Sequence, residues 1–249
     1  MAQLLILNYH NILPDESARS NHGPFDLTRS AFLDQLNLIA RLELPVISIT
    51  QWLSGETKAQ LAIALTFDDG YKSHANIVAP ELKSRQFPAT FFPSVTLIGQ
   101  PGFLLWDDLR KIQESQFEIQ SHGLHHVHFT RLSDQNLRRE LAQSKEHLEH
   151  ALGRPIRQLA LPFGAYTNGT LSLAKEYYQT ILTTRSLINM DPRALILHRF
   201  NTKSSTTIDT LTKLLQRQPD TLRHRRLSSA GAHFVHRLTS LVVRMRRMP

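Results

Sequence analysis

Short runs of consecutive apolar residues alternate along this chain with longer stretches whose apolar residues recur every three or four positions. The runs predict strands buried on both faces, and the spaced stretches predict helices that cover them. The predicted strands are Leu4–Leu7, Pro45–Ile49, Leu61–Phe67, Ala89–Phe92, Phe117–Gln120, Leu159–Leu161, Thr180–Thr183 and Leu195–Leu197. The predicted helices run from a cap at Thr28 or Ser30 to Leu42, over Ser73–Arg85, over Trp106–Glu114, from a Ser133 cap to Leu152 with Gly153 as the stop, over Leu171–Tyr178, and over Ile208–Gln216. Repeated strand–helix alternation implies a mainly parallel sheet with helices outside. Seven or eight strands suit a barrel better than an open sheet, although periodicity does not choose between them. The expected fold class is α/β, a deformed (β/α) barrel of about seven parallel strands with a C-terminal basic helical tail.

Composition narrows the chemistry. With 249 residues and 41% hydrophobic content, the chain can bury a core without staples. It contains no cysteine, which excludes a thiolate-held zinc, an iron–sulfur cluster and a thiol nucleophile. The formal net charge is +8, but seven arginines and no acid or lysine lie in 222–249, leaving 22 basic against 21 acidic residues before it. The expected division is therefore a nearly neutral body at 1–221 and a basic tail at 222–249. In the tail Phe234, Leu238, Leu241, Met245 and Met248 recur at helical spacing, with Arg237, Arg244 and Arg247 elsewhere on the wheel. Such a helix suits an anionic membrane surface, or equally a stripe packed on the barrel. No aromatic interleaving points to nucleic acid, so none is expected as a partner. No run reaches the roughly 18 apolar residues of a membrane span, and Met1–His10 lacks the basic start of a signal peptide. The expected location is the cytoplasm, with the tail as a candidate anchor to the inner membrane face.

Three polar clusters close predicted strands: Asp68-Asp69-Gly70, the segment Ser121–His128, and Pro162-Phe163-Gly164. The carboxyl edge of a parallel α/β sheet is where strand–helix loops converge and sites form. Alone, each cluster reads as a turn, a helix cap or a filler; together at equivalent strand ends they read as a site. Two histidines and a carboxylate make a catalytic metal set with open positions. His122 and His126 are four residues apart, and His122/His125 and His125/His128 are further pairs that spacing leaves open. The carboxylate is Asp68 or Asp69. Two adjacent carboxylates facing one site repel, and a metal on one of them leaves the other as a base for a bound water.

These segments resemble the NodB-type polysaccharide deacetylases, carbohydrate esterase family 4. Thr66-Phe67-Asp68-Asp69-Gly70 is similar to the first family motif, Ser121-His122-Gly123-Leu124-His125-His126 to the second, and Leu159-Ala160-Leu161-Pro162-Phe163-Gly164 to the third. The likeness spans about Leu4 to Phe200. It implies a metal-dependent hydrolase that removes N-acetyl groups from amino sugars of a glycan, with a divalent ion, zinc first, held by Asp69, His122 and His126. Asp68 resembles the catalytic base, and Phe163, between Pro162 and Gly164, the residue whose N–H holds the oxyanion. Leu5–His10 resembles the Tyr-His opening of the poly-N-acetylglucosamine deacetylase branch, which implies His10 as the general acid; Tyr9 beside it reads equally as a sugar contact or as a packed strand-end tyrosine. Phe103–Asp107 is also similar to that branch, with Trp106 as a sugar-lining residue. Three departures stand out. Ala160 or Leu161 occupies the place of an arginine common in the third motif, Val127 replaces a common proline, and Leu195-Ile196-Leu197-His198 imitates a late histidine motif that competes with His10.

Other residues read more plainly. His147 and His150 belong to a solvated helix face, His74 to the start of a helix, and Asp107-Asp108 to a helix start. The rival functions are a carbohydrate O-acetyl esterase on the same site and a catalytically silent glycan-binding barrel.

Overall fold

A computed structural model of the protein describes residues 2–16, 23–57 and 59–216. In chain order the elements are β1 (Leu4–Tyr9), β2 (Ile12–Leu13), β3 (Leu27–Thr28), α1 (Arg29–Arg41), α2 (Ile49–Leu53), β4 (Ala62–Asp69), α3 (Ala79–Ser84), β5 (Ala89–Pro93), α4 (Trp106–Glu114), β6 (Glu118–Ile119), α5 (Asp134–Leu152), β7 (Gln158–Ala160), α6 (Asn168–Ala174), β8 (Thr180–Thr183), β9 (Ile196–Asn201) and α7 (Ile208–Leu215). A π-helical turn, His74–Val78, leads into α3. Residues Met1–Thr206 form one compact unit, and a second unit, in which α7 lies, begins at Thr207. The tail expected at 222–249, with its proposed membrane face, lies outside the described residues. Among the described residues no helix is long and apolar enough to cross a membrane.

Seven strands form one parallel sheet in the order β6-β5-β4-β1-β9-β8-β7. Its two edges meet at a single bridge between Ser121 and Leu159: the Ser121 N–H donates to Gln158 O at 3.1 Å and the Ala160 N–H to Ser121 O at 2.9 Å. The sheet is thus curled into a deformed barrel of the NodB type. β2 and β3 make a separate two-stranded ladder over the segment that follows β1.

Side chains alternate between the two sides of each strand. Leu4 and Ile6 of β1, Ala62 and Ala64 of β4, Phe92, Ala160, Leu182 and Leu197 meet in one buried cluster, together with Ile49 and Trp52 of α2. Three alanines leave the space that Trp52 and Phe92 fill. Continuing the same alternation toward the strand ends places Asn8, Thr66 and Asp68 on that inner side, above the apolar layer. The opposite face carries Tyr9, Phe67 and Phe91, stacked at 5.3 and 5.1 Å and covered by Phe32 of α1. Because the strands are parallel, His10, Asp68-Asp69, Ser121-His122 and Pro162-Phe163-Gly164 all emerge at one rim.

Two expected elements differ. Pro45–Ile49 forms no strand: Val46 makes one bridge to Ile63, and the Ser48–Gln51 capping box turns the rest into the first turn of α2. A short apolar run does not by itself distinguish a strand from a helix, and here the cap decides. The helix expected at Leu171–Tyr178 begins earlier, at Asn168, because Thr167 and Thr170 cap it, and it ends at Ala174.

Truncating the inner plug tests this packing. Trp52→Ala is expected to lower unfolding stability by about 3–5 kcal/mol, measured by denaturant titration; a loss under about 1 kcal/mol would show that Trp52 does not fill the barrel.

Candidate active site

The site begins with a conflict in strand geometry. Asp68 and Asp69 are consecutive, so a regular strand would send them to opposite faces. Asp68 follows the rule and points inward. Asp69 adopts φ +71°, and the Gly70 N–H donates to the Asp68 carbonyl at 2.9 Å, which makes a γ-turn centred on Asp69. That turn brings the second carboxylate back to the same rim. Gly70 is required behind it, since a Cβ there would come within 2.9 Å of Pro93 Cβ while φ is +86°.

His122 and His126 come from the segment after β6, two strands away from β4 in the sheet. The Nε2 atoms of His126 and His122 lie 3.1 and 3.3 Å from Asp69 Oδ1. One ligand atom from each of the three residues lies within 4.8 Å of the other two. Of the histidine pairs left open by spacing, the structure brings His122 and His126 to the carboxylate. His125 instead turns to Glu140 of α5, and His128 stacks on Phe163 with ring centroids 3.8 Å apart. Glu140 fixes the loop further by accepting the Leu124 and His125 N–H groups at 3.0 and 3.1 Å.

The chemistry of this donor set fits a cation. His122 Nδ1 lies 2.9 Å from the Ala160 carbonyl, which can only accept, so Nδ1 carries the proton and the neutral ring presents its Nε2 lone pair to Asp69. Asp69 Oδ1 is buried and has no hydrogen-bond partner. In that tautomer the His122 lone pair faces a buried carboxylate oxygen, an arrangement that a metal ion between them satisfies.

Asp68 has a different partner. Arg199 of β9, fully buried, pairs with it through two contacts of 2.7 Å, and Asn8 Nδ2 donates to its Oδ2 at 3.0 Å. Asn8 Oδ1 in turn accepts from Thr66 and Arg199, both at 2.9 Å. Burial pushes the Asp68 pKa up, yet the Arg199 guanidinium prevails, so the group is held ionised below its ordinary value. The cationic partner that Ala160 or Leu161 does not supply therefore comes from another strand.

His10 sits just beyond β1, its ring against Phe25 at 4.7 Å and its buried Nδ1 without a partner. Burial lowers its pKa, while Asp68 and Asp69 pull it up. His198 faces the other way from its neighbours Leu197 and Arg199, which are both interior, and bonds Thr183 Oγ1 at 2.9 Å. Phe163 has φ +59° and a half-exposed ring that also touches His126, at 4.7 Å. Pro162 is buried beneath it, and Gly164 permits the turn, since a Cβ would meet Thr184 Oγ1 at 1.9 Å. Trp106 opens α4 and is half-buried; nearer the Asp69–Gly70 turn, Phe103 stacks on the Tyr71 ring at 5.1 Å. Of the two readings of Tyr9, the structure shows the packed strand-end tyrosine and not the sugar contact. It is fully buried on the outer side of β1 and its hydroxyl donates to Gln35 at 3.0 Å, so it cannot touch a sugar.

The strain is concentrated here. Among the described residues, six non-glycine residues have positive φ. Glu43, Gln86 and Gln116 follow the caps of α1, α3 and α4, where left-handed residues end helices. The other three are Asp69, His126 and Phe163, all at this rim, as expected where surroundings hold a backbone in a costly conformation for function.

With this geometry in place the comparisons with known proteins are decisive. The polysaccharide deacetylase family profile matches residues 55–181, about half of the chain. The chain belongs to that family. It is a NodB-type carbohydrate deacetylase of a metal-dependent family, carbohydrate esterase family 4. Among relatives of this deacetylase, the Bacillus subtilis protein YxkH, named for the same family, is 25% identical over 200 residues, 80% of this chain and 71% of its own. A peptidoglycan-N-acetylglucosamine deacetylase of Bacillus cereus is 29% identical over 134 residues, 53% of this chain and 59% of its own. The Streptococcus pyogenes deacetylase PplD, solved in complex with acetate, superimposes with a TM-score of 0.74 at 25% identity, over 86% of this chain and 97% of that one.

Removing the buried partner of Asp68 should be costly. Arg199→Met is expected to destabilise the deacetylase by about 3–5 kcal/mol, and Asp68→Asn in the same chain to recover part of it, by denaturant titration. Because the folded Asp68 pKa is lowered, this share of stability is present above about pH 4 and disappears as pH falls through the folded value. Equal stability of wild type and Arg199→Met would contradict the assignment.

Proposed function

We propose that this deacetylase removes acetyl groups from the nitrogen of N-acetylated amino sugars in a poly- or oligosaccharide or a lipid-linked glycan. The observation that carries the reading is the buried Asp69, His122 and His126 cluster with a second carboxylate, the ion-paired Asp68, beside it. The name of the Bacillus cereus relative supports an N-acetylated amino sugar as substrate.

In this reading Asp69, His122 and His126 hold a divalent ion. Two imidazole nitrogens and one carboxylate oxygen, with no sulfur, suit zinc. Such an ion supplies Lewis-acid polarisation of the acetyl carbonyl and a more acidic water. The remaining steps belong to side chains and main chain. Asp68, kept anionic by Arg199 and oriented by Asn8, accepts a proton from the attacking water. The Phe163 N–H, offered by the turn with Pro162 and Gly164, donates to the acetyl oxygen as its charge grows. His10 gives a proton to the nitrogen as the C–N bond breaks, because an amide nitrogen leaves poorly as an anion. Acetate and a free amine result. Trp106 and the exposed Phe163 ring offer aromatic surface to the sugar.

The test is acetate release from chitooligosaccharides, peptidoglycan fragments and lipid-linked amino sugars, beside matched O-acetyl esters. Release from an N-acetylated glycan is expected, abolished by chelator and restored by zinc, with Asp68→Asn lowering kcat roughly 10²- to 10⁴-fold. Release from the esters alone would make the protein an O-acetyl esterase; no release from any substrate would make it a silent glycan-binding barrel.

A further inference from the structure

His74 takes no part in the chemistry above, yet it is a fully buried histidine only a few residues beyond Asp69. It opens the π-helical turn before α3, and π-helical turns favour functional positions. Its ring is boxed by Phe67 and Phe91, each with centroids 5.6 Å away, and by Tyr71 at 6.1 Å. One atom of that ring has a polar partner: Nε2 lies 2.9 Å from the main-chain carbonyl of His10. Nδ1 is buried with none.

Those facts fix the proton. A carbonyl only accepts, so Nε2 carries the hydrogen and Nδ1 is bare. A second proton would place a charge and an unpaired N–H inside an aromatic box, and burial pushes the His74 pKa down to about 4. His74 is therefore a neutral donor of fixed direction at ordinary pH. A leucine or phenylalanine would fill such a box without leaving a nitrogen unsatisfied. What histidine adds is the single hydrogen bond to His10.

That bond falls where the sheet no longer helps. β1 ends at Tyr9, so the His10 carbonyl lies beyond the ladder. The next residues are tied to the same turn: the Ile12 N–H donates to Ser73 Oγ at 3.1 Å, and Ser73 Oγ donates to Asn11 Oδ1 at 2.9 Å. Ser73 and His74 thus clamp the segment bearing His10 to the loop bearing Asp68 and Asp69. Phe25 meets the His10 ring, leaving the main chain as the handle by which the ring is set.

We propose that His74 is a positioning residue that sets His10 for proton donation to the leaving nitrogen. The proposal rests on the reading of His10 as the proton donor. Proton donation matters for an amide, whose nitrogen must be protonated to leave, and hardly at all for an aryl acetate, whose phenolate leaves unaided. The experiment therefore measures kcat and KM of the zinc-loaded full chain on an N-acetylated chitooligosaccharide and on 4-nitrophenyl acetate, for wild type, His10→Ala, His74→Leu and His74→Gln. Glutamine carries an amide nitrogen at about the reach of Nε2. His74→Leu is expected to lower kcat on the glycan about tenfold to a hundredfold with KM little changed, to leave the aryl ester rate within about twofold, and to be rescued mostly by His74→Gln. His74→Phe, which fills the box without a donor, takes the place of His74→Leu if the leucine chain does not fold. A parallel loss on both substrates, a change in KM alone, or no loss overturns the proposal. If His10→Ala is selective for the glycan while His74→Leu is silent, only the positioning role falls. If His10→Ala itself loses both substrates alike, the reading of His10 falls and the proposal with it.

Discussion

Two carboxylates adjacent in sequence cannot both be buried as anions at one site unless each has its own positive partner. Asp68 and Asp69 meet that condition in different ways. Arg199 neutralises Asp68 through a two-contact ion pair inside the barrel. Asp69 faces two imidazoles and keeps an oxygen without any hydrogen bond, a deficit that a cation removes. Separate partners give separate roles. The residue locked to arginine stays ionised, and the residue among histidines keeps an oxygen open to a cation. Much of the surrounding structure serves this separation: the γ-turn at Asp69, the glycine behind it, the loop held by Glu140, and the strand that delivers Arg199.

The barrel makes this affordable by keeping its two ends chemically different. Alternation along β1 and β4 puts Leu4, Ile6, Ala62 and Ala64 against Trp52 at the amino ends of the strands. The same alternation puts Asn8, Thr66 and Asp68 at the carboxyl ends, where every polar group of that inner layer finds a partner. The apolar layer excludes water from below, which strengthens each interaction above it. Left-handed backbone at Asp69, His126 and Phe163 is tolerated because it is confined to the rim, while the strands beneath are regular.

The sequence made much of this legible, and the misses have physical causes. Continuous apolar runs marked β1 and β4, the Ser133 cap and Gly153 stop bounded α5, and two local motifs singled out Asp68, Asp69, His122 and His126. Pro45–Ile49 misled because a capping box outweighed a strand-like run. Tyr9 was open between sugar contact and packing; period-two alternation from the buried Leu5 and Leu7 sends it to the outer face. Arg199 and Asn8 were missed because their meaning is a contact across 131 and 60 residues respectively, which no local pattern records. Each left a faint signal, an arginine inside an apolar strand and an asparagine two places before the histidine. Glu140 left none, since an acid on a long amphipathic helix reads as solvated until the His125 loop is seen against it.

The proposed chemistry requires one ion held by Asp69, His122 and His126. Its most direct test is elemental analysis of the purified chain, counting bound divalent metal in wild type and in Asp69→Asn, His122→Ala and His126→Ala. One equivalent per folded wild-type chain, falling to near zero in each substituted chain that retains its fold, is the predicted result. A wild-type chain that takes up no metal, or substituted chains that keep a full equivalent, would contradict it.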